Sequence, residues 1–186
     1  HVNAIDAQLS RGKTERIAAQ GFASVAASLA RFAADVCMYV SGNHGFLRLR
    51  EEITTGSSVM PHKRNPDVFE LIRARCNRIQ AVPGDIAMSM INLPSGYHRD
   101  LQIIKELLFP AMEDLRDCLR IARYALEFLE VTEGLLDDPR YRDIFSVDAI
   151  QQCMAGGMTF RDAYREVAAS LRDGSFTIPE SPVSTH

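Results

Sequence analysis

Proline and glycine are sparse, with eight and eleven residues among 186, which excludes a collagen-like repeat and argues against general disorder. Cysteine is scarcer still. Cys37, Cys76, Cys118 and Cys153 are far apart and form no C-x-x-C pair, so neither a zinc cluster nor a disulfide framework is expected. Each is read as a reduced thiol on an apolar helix face. Positive charge is not in excess. Lys and Arg total 21 against 24 Asp and Glu, giving a net charge of −3 and a pI near 6.0. No basic field therefore points to nucleic acid. No apolar run approaches the roughly 18 residues that a membrane span needs, so no membrane partner is expected. The chain also lacks an initiator Met and a signal peptide, opening His1-Val2-Asn3. It is expected to be processed, or to be a piece of something longer.

What is present is helix. Between Thr14 and Ser41, apolar side chains recur at Ala18, Phe22, Val25, Leu29, Phe32, Val36 and Val40, in steps of 3 and 4. That period predicts one long packed helix, stopped by Ser41-Gly42-Asn43. A polar loop follows, holding Thr54-Thr55-Gly56-Ser57-Ser58. Pro66 is expected at the first position of the next helix, with Asn65 as its N-cap and Asp67 complementing the dipole. Val68, Ile72, Cys76, Ile79 and Val82 form its apolar stripe, and Pro83-Gly84 is expected to break it.

A third long helix is read from Leu101 through Leu129 along Ile104, Leu108, Met112, Leu115, Leu119, Ala122 and Leu126, with a bend at Pro110. Two short helices are expected over 147–155 and 160–172, with Ser146 and Thr159 as caps and Gly174 past the end. No stretch alternates as a strand. The fold class is all-α: a long-helix bundle over 1–133 with a signature loop at 54–66, a small helical C-terminal domain over 134–174, and a loose tail over 175–186.

The chemistry gathers in one segment, Gly56-Ser57-Ser58-Val59-Met60-Pro61-His62-Lys63-Arg64-Asn65-Pro66. A Gly-Ser-Ser turn and three cationic or titratable side chains lead into a helix N-terminus, whose backbone N–H groups favour an anion. Lys63 adds charge and Asn65 adds amide donors. Such a segment can bind a carboxylate or phosphate, or stabilise developing negative charge. It can equally be a solvated basic loop before a capped helix.

This segment resembles the signature loop of the fumarase/aspartase superfamily, G-S-S-x-M-P-x-K-x-N-P, at every fixed position. Leu93-Pro94-Ser95-Gly96-Tyr97-His98-Arg99-Asp100-Leu101-Gln102-Ile103-Ile104-Lys105-Glu106 is similar to the L-P-x-x-Y-x-x-D-x-Q-x-x-K-E segment of the argininosuccinate lyases. Glu70-Leu71-Ile72-Arg73 fits that family too, as does Gly157-Met158-Thr159-Phe160-Arg161-Asp162-Ala163. One feature points to the adenylosuccinate lyases instead, the run Met60-Pro61-His62-Lys63-Arg64-Asn65-Pro66. A further alternative is a structural protein that keeps the lyase fold without its activity, as eye-lens crystallins do.

The resemblance implies β-elimination of argininosuccinate to arginine and fumarate, with neither metal nor organic cofactor. It implies that Ser57 is the catalytic base and that Lys63 and Asn65 stabilise the dianionic intermediate. Ser58, Asn65, Tyr97, Gln102 and Lys105 are the implied substrate-binding residues, with Gln102 and Lys105 on one helix face. Glu70 is implied to hydrogen-bond a catalytic histidine. None of His1, His44, His62, His98 and His186 sits in that histidine's context, so the chain is expected to be the C-terminal portion of a longer enzyme, inactive alone. Plainer roles stay open for each: a turn serine, a packed aromatic at Tyr97, a solvated charge at Lys105, a first-turn acid at Glu70. The resemblance further implies a cytoplasmic homotetramer. The long apolar stripes, too extended for two short helices to cover, point to the same assembly.

Overall fold

The computed structural model describes residues 3–56, 59–60 and 64–179. By its contacts the chain divides into two compact units, His1–Val131 and Thr132–His186.

The first unit is organised by one helix. After the short α1 (Ala4–Leu9), the chain turns at Gly12 and enters α2 (Lys13–Val40). Gly12 has φ +83°, which favours glycine, and a Cβ there would come within 2.5 Å of the Met90 sulfur, so the Met90 side chain would have to shift. The Glu15 carboxylate accepts a hydrogen bond from the Gly12 N–H at 2.7 Å and closes the first turn. At 1.5 Å per residue, α2 is roughly 42 Å long. It packs against α3 (Asp67–Ile79), α4 (Val82–Ser89) and α5 (Ile104–Leu126).

The buried face of α2 is a seam of small residues, Ala19, Ala26, Ala30 and Ala33, followed by Val36. The expected stripe lies beside it. Phe22, Leu29 and Phe32 pack only partly against the core, and Val25 is exposed. Alanine lets helix backbones approach closely, so it takes the contact line while larger side chains flank it. α2 also contains an 18-residue window long and apolar enough to cross a membrane by composition. This corrects the expectation that no stretch reaches that length. A core helix passes the same test, and the alanine seam of α2 is buried against its neighbours.

On α3 the buried residues are Phe69, Ile72, Cys76 and Ile79, with Val68 only half-buried. The break expected at Pro83-Gly84 falls earlier, at Gln80-Ala81. Pro83 sits in the first turn of α4, where its missing N–H costs nothing. α5 begins after a 3-10 turn over Arg99–Ile103 and carries Pro110 within it. Its buried line is Ile104, Ala111, Leu115, Cys118, Ala122 and Ala125, whereas Met112, Leu119 and Leu126 of the expected stripe are exposed.

Strands also occur, though only as short clasps in an otherwise helical fold. β1 (Leu47–Leu49) pairs antiparallel with β4 (Leu129–Val131), with Arg48 opposite Glu130. β2 (Thr55–Gly56) pairs with β3 (Arg64–Asn65).

In the second unit, 3-10 turns over Leu135–Asp137 and Pro139–Phe145 precede α6 (Ser146–Ala155) and α7 (Phe160–Asp173). Ser146 lies inside α6, with Phe145 at the cap position instead. Thr159 caps α7: its hydroxyl accepts from the Asp162 N–H at 3.3 Å and donates to the Asp162 carboxylate at 2.7 Å. Gly174 ends the helix in the left-handed region. The tail expected to be loose is partly held. Phe176 is buried, its N–H donates to the Ser170 carbonyl, and the Arg142 guanidinium lies 5.9 Å from its ring.

Candidate functional site

The described residues of the signature segment, Gly56, Val59, Met60 and 64–66, sit where α2 ends. The clasp of β1 and β4 ties the chain after α2 to the end of α5, and an Arg50–Glu130 ion pair at 2.6 Å reinforces it. Ile53 is buried beneath, and the chain rises to β2. β2 and β3 bring Thr55 opposite Asn65 and Gly56 opposite Arg64, closing the base of the loop between them. The Thr55 hydroxyl donates to the Asp67 carboxylate, and Arg64 Nη2 donates to Glu51 at 2.5 Å. Ser57, Ser58 and Lys63 lie outside the described residues.

Asn65 is half-buried in β3 and does not cap the following helix. Pro66 takes the cap position, and its carbonyl accepts from the Phe69 and Glu70 N–H groups at 2.9 and 3.1 Å. Phe69 anchors this helix start. It is fully buried, edge-on to Phe32 of α2 with ring centroids 6.1 Å apart.

Glu70 is exposed on the first turn of α3. With Arg73 it acts on the half-buried Cys37 of α2. Burial pushes that thiol up, Arg73 draws it down, and Glu70 pushes it up again. Among the described residues, no hydrogen bond or ion pair joins the Glu70 side chain to a histidine. A cavity of about 440 Å³ opens beside the loop base, lined by residues that include Val40, Leu47, Arg48, Thr54, Met60 and Arg64.

The other implied residues gather at the opposite end of α2. Tyr97 is exposed, with the Arg11 guanidinium 5.8 Å from its ring centroid. His98 Nε2 bonds the Pro94 carbonyl at 2.7 Å and folds the segment on itself. Leu101 and Ile104 are buried with Ala19 and Ile86 in a separate small core. Gln102 is half-buried in the 3-10 turn, and Lys105 is exposed in the first turn of α5.

Within one chain the two groups are therefore separated along α2, by roughly 20 Å from Ala19 (beside Leu101 and Ile104) to Phe32 (against Phe69) and by up to roughly 40 Å over the whole helix. Arg11, before α2, meets Tyr97; Val40, at its end, lines the cavity with Thr54 and Arg64. No single substrate of metabolite size spans that gap. Sequence reasoning missed the pairing of Thr55 with Asp67 and the approach of Arg11 to Tyr97. None of these residues lies in a periodic pattern, and the Thr55–Asp67 bond spans a loop that no local signal measures.

Residues 8–81 match the lyase family. An argininosuccinate lyase of Phocaeicola vulgatus is 50% identical over 184 residues, covering 99% of this chain and 41% of that protein. One from Parabacteroides distasonis is 48% identical with the same coverage, and one from Thermotoga neapolitana is 35% identical, covering 89% of this chain and 42% of that protein. Along nearly its whole length the chain is similar to argininosuccinate lyases. It spans about two fifths of the length of the curated relatives it matches.

Solved structures show the same fold. A fumarate lyase:delta crystallin structure from Brucella melitensis superposes with a TM-score of 0.72 at 19% identity, over 92% of this chain and 38% of that one. An EDDS lyase in complex with formate gives 0.70 at 17% identity, over 84% of this chain and 32% of that one.

Proposed function

We propose that this chain is part of an enzyme that splits argininosuccinate into arginine and fumarate. The observation that carries the reading is the near-50% identity to argininosuccinate lyases along 99% of the chain, with every fixed position of the signature loop present.

In this reading Ser57 removes the proton from the carbon next to the one bearing the leaving nitrogen. A free serine is far too weak a base, so donors, positive charge and exclusion of water must make its alkoxide accessible. The carbanion is stabilised as a dianionic carboxylate, which Lys63 and Asn65 neutralise. Tyr97, Gln102 and Lys105 hold the substrate's polar groups, with Ser58 donating a hydrogen bond to a carboxylate. The chemistry needs no metal or organic cofactor.

The separation of the two residue groups along α2 supports a site assembled from several copies of the chain, a homotetramer by the family resemblance. The large side chains left exposed on the helices support the same assembly. Ile17, Val25, Leu71, Met112, Leu119 and Ile121 are each more than 40% exposed in the single chain, an extent of apolar surface that marks an interface. A cytoplasmic location goes with this role.

The test is fumarate absorbance with argininosuccinate and with adenylosuccinate, run on the full-length protein and on these 186 residues alone. Turnover of argininosuccinate by the full-length protein, with little or none by the chain alone, is expected. General acid–base help, which a missing histidine would remove, is worth about 10²- to 10⁴-fold. Turnover of adenylosuccinate instead, or near-normal activity of the isolated chain, would overturn the reading.

A further inference from the structure

Two of the four thiols meet inside the protein. Cys76 of α3 and Cys118 of α5 belong to the same apolar core and are 0% and 2% exposed. An ion pair between Arg75 Nη1 and Asp114 Oδ1, at 2.8 Å, joins the two helices beside that core. One position on along α3 and one turn on along α5, the thiols come into contact, and the Cys76 S–H donates to the Cys118 sulfur. Cys118 also lines a groove of about 520 Å³ between α3 and α5, walled by Val68, Leu71, Ile121 and Tyr124 among others. The proposed reaction uses none of these groups.

We infer that Cys76 and Cys118 form a two-sulfur site for a soft, two-coordinate cation of the mercury(II) or copper(I) class. Three properties of the pair select that ligand. Among the described residues no three His, Cys, Asp or Glu side chains gather, so a tetrahedral zinc site has too few ligands. Thiolates prefer soft cations, and a linear two-coordinate ion asks for two facing sulfurs and nothing more. The groove mixes apolar side chains with Arg75, Asp117 and Arg120, and mercury(II) with two thiolates is neutral, so it adds no net charge among them.

Burial also decides against a redox role. It pushes the Cys76 thiol up to about 12, and Cys118 contributes to that shift. Burial raises Cys118 as well, while the bond from Cys76 and the Arg75 charge draw it down. Thiols held protonated are slow towards peroxides and disulfides, because the thiolate is the nucleophile. A soft cation replaces the protons outright. Two S–H bonds break, two metal–sulfur bonds form, two protons leave to solvent, and no electrons are transferred.

The test uses mercury(II) chloride and the 186-residue chain carrying Cys37→Ser and Cys153→Ser, which leaves only the buried pair. Native mass spectrometry is expected to show one mercury per chain, with two protons released per metal and an ultraviolet thiolate-to-mercury band. Cys76→Ala and Cys118→Ala, made separately, should each lower the affinity at least about a hundredfold, the smaller end of what joining two binding groups gives. The wild-type chain supplies a readout free of folding effects. After substoichiometric mercury, unfolding and alkylation should find Cys37 and Cys153 modified and Cys76 and Cys118 protected. Protection of Cys37 or Cys153 in place of the buried pair would overturn the site, as would release of a single proton per metal.

Discussion

The two ends of α2 are built differently. At its C-terminal end the chain is clasped: two short ladders, the Arg50–Glu130 and Arg64–Glu51 ion pairs, and Phe69 driven against Phe32. At its N-terminal end the contacts are few and local, with Arg11 over Tyr97, Met90 against Gly12, and a small core of four buried residues. The first end holds the base of the loop in which the proposed chemistry resides. The second presents groups of the kind that grip a substrate. A rigid mount for reacting groups and a lighter one for binding groups is a sensible division, since small displacements cost far more where bonds change.

The largest effect should come from the clasped end. In the full-length enzyme, Ser57→Ala removes the proposed base and leaves the anion donors in place. kcat should fall by several orders of magnitude while argininosuccinate affinity stays similar, because the lost interaction matters in the transition state. Ser58→Ala should do much less. Measured side by side, the reverse ordering would exchange the two roles.

Next in size is the anchor of that end. Phe69→Ala empties a fully buried site against Phe32 and should cost about 3–5 kcal/mol in denaturant unfolding. A loss under about 1 kcal/mol would mean that the start of α3 is held by the ladders rather than by packing.

How far this contrast could be read beforehand depends on what carries each part. The helices were legible because a 3.6-residue period is written into the chain, and the capping of α7 by Thr159 was legible because both partners are three residues apart. The seam of α2 was misplaced by one position. Periodicity weighs large side chains most, whereas close helix contact selects alanine at 19, 26, 30 and 33. Met112, Leu119 and Leu126 were assigned to the right helix, but this chain alone does not bury them. The signature loop was legible as a motif. Its base was not, since Thr55 and Asp67 are joined by chain reversal, and the separation of Tyr97 from Asn65 comes from the length of α2 lying between their neighbours.

The lighter end should respond more weakly. Gly12→Ala forces a Cβ into a left-handed backbone and into the Met90 side chain, 2.5 Å away. Met90 is flexible and can give, so a loss of about 1–3 kcal/mol is expected from backbone strain with partial repacking. Thermal unfolding of the isolated chain measures it. A neutral result would show that the turn into α2 is looser than its geometry implies.

The smallest effect, and the most selective, belongs to Arg11. Its guanidinium lies over a ring that is itself 55% exposed, where a cation–π contact is worth about 0.5–1 kcal/mol. Arg11→Ala should therefore leave stability nearly unchanged. In the full-length enzyme it should act through Tyr97, which loses the cation that sets its ring orientation. A two- to fivefold rise in KM for argininosuccinate, about 0.4–1 kcal/mol by RT ln of that ratio, is expected with kcat unaltered. Arg11→Lys keeps a cation within reach of the ring and should recover much of the loss. If Arg11→Ala lowers kcat and leaves KM alone, the N-terminal end of α2 takes part in the chemical step, and the division of labour between the two ends fails.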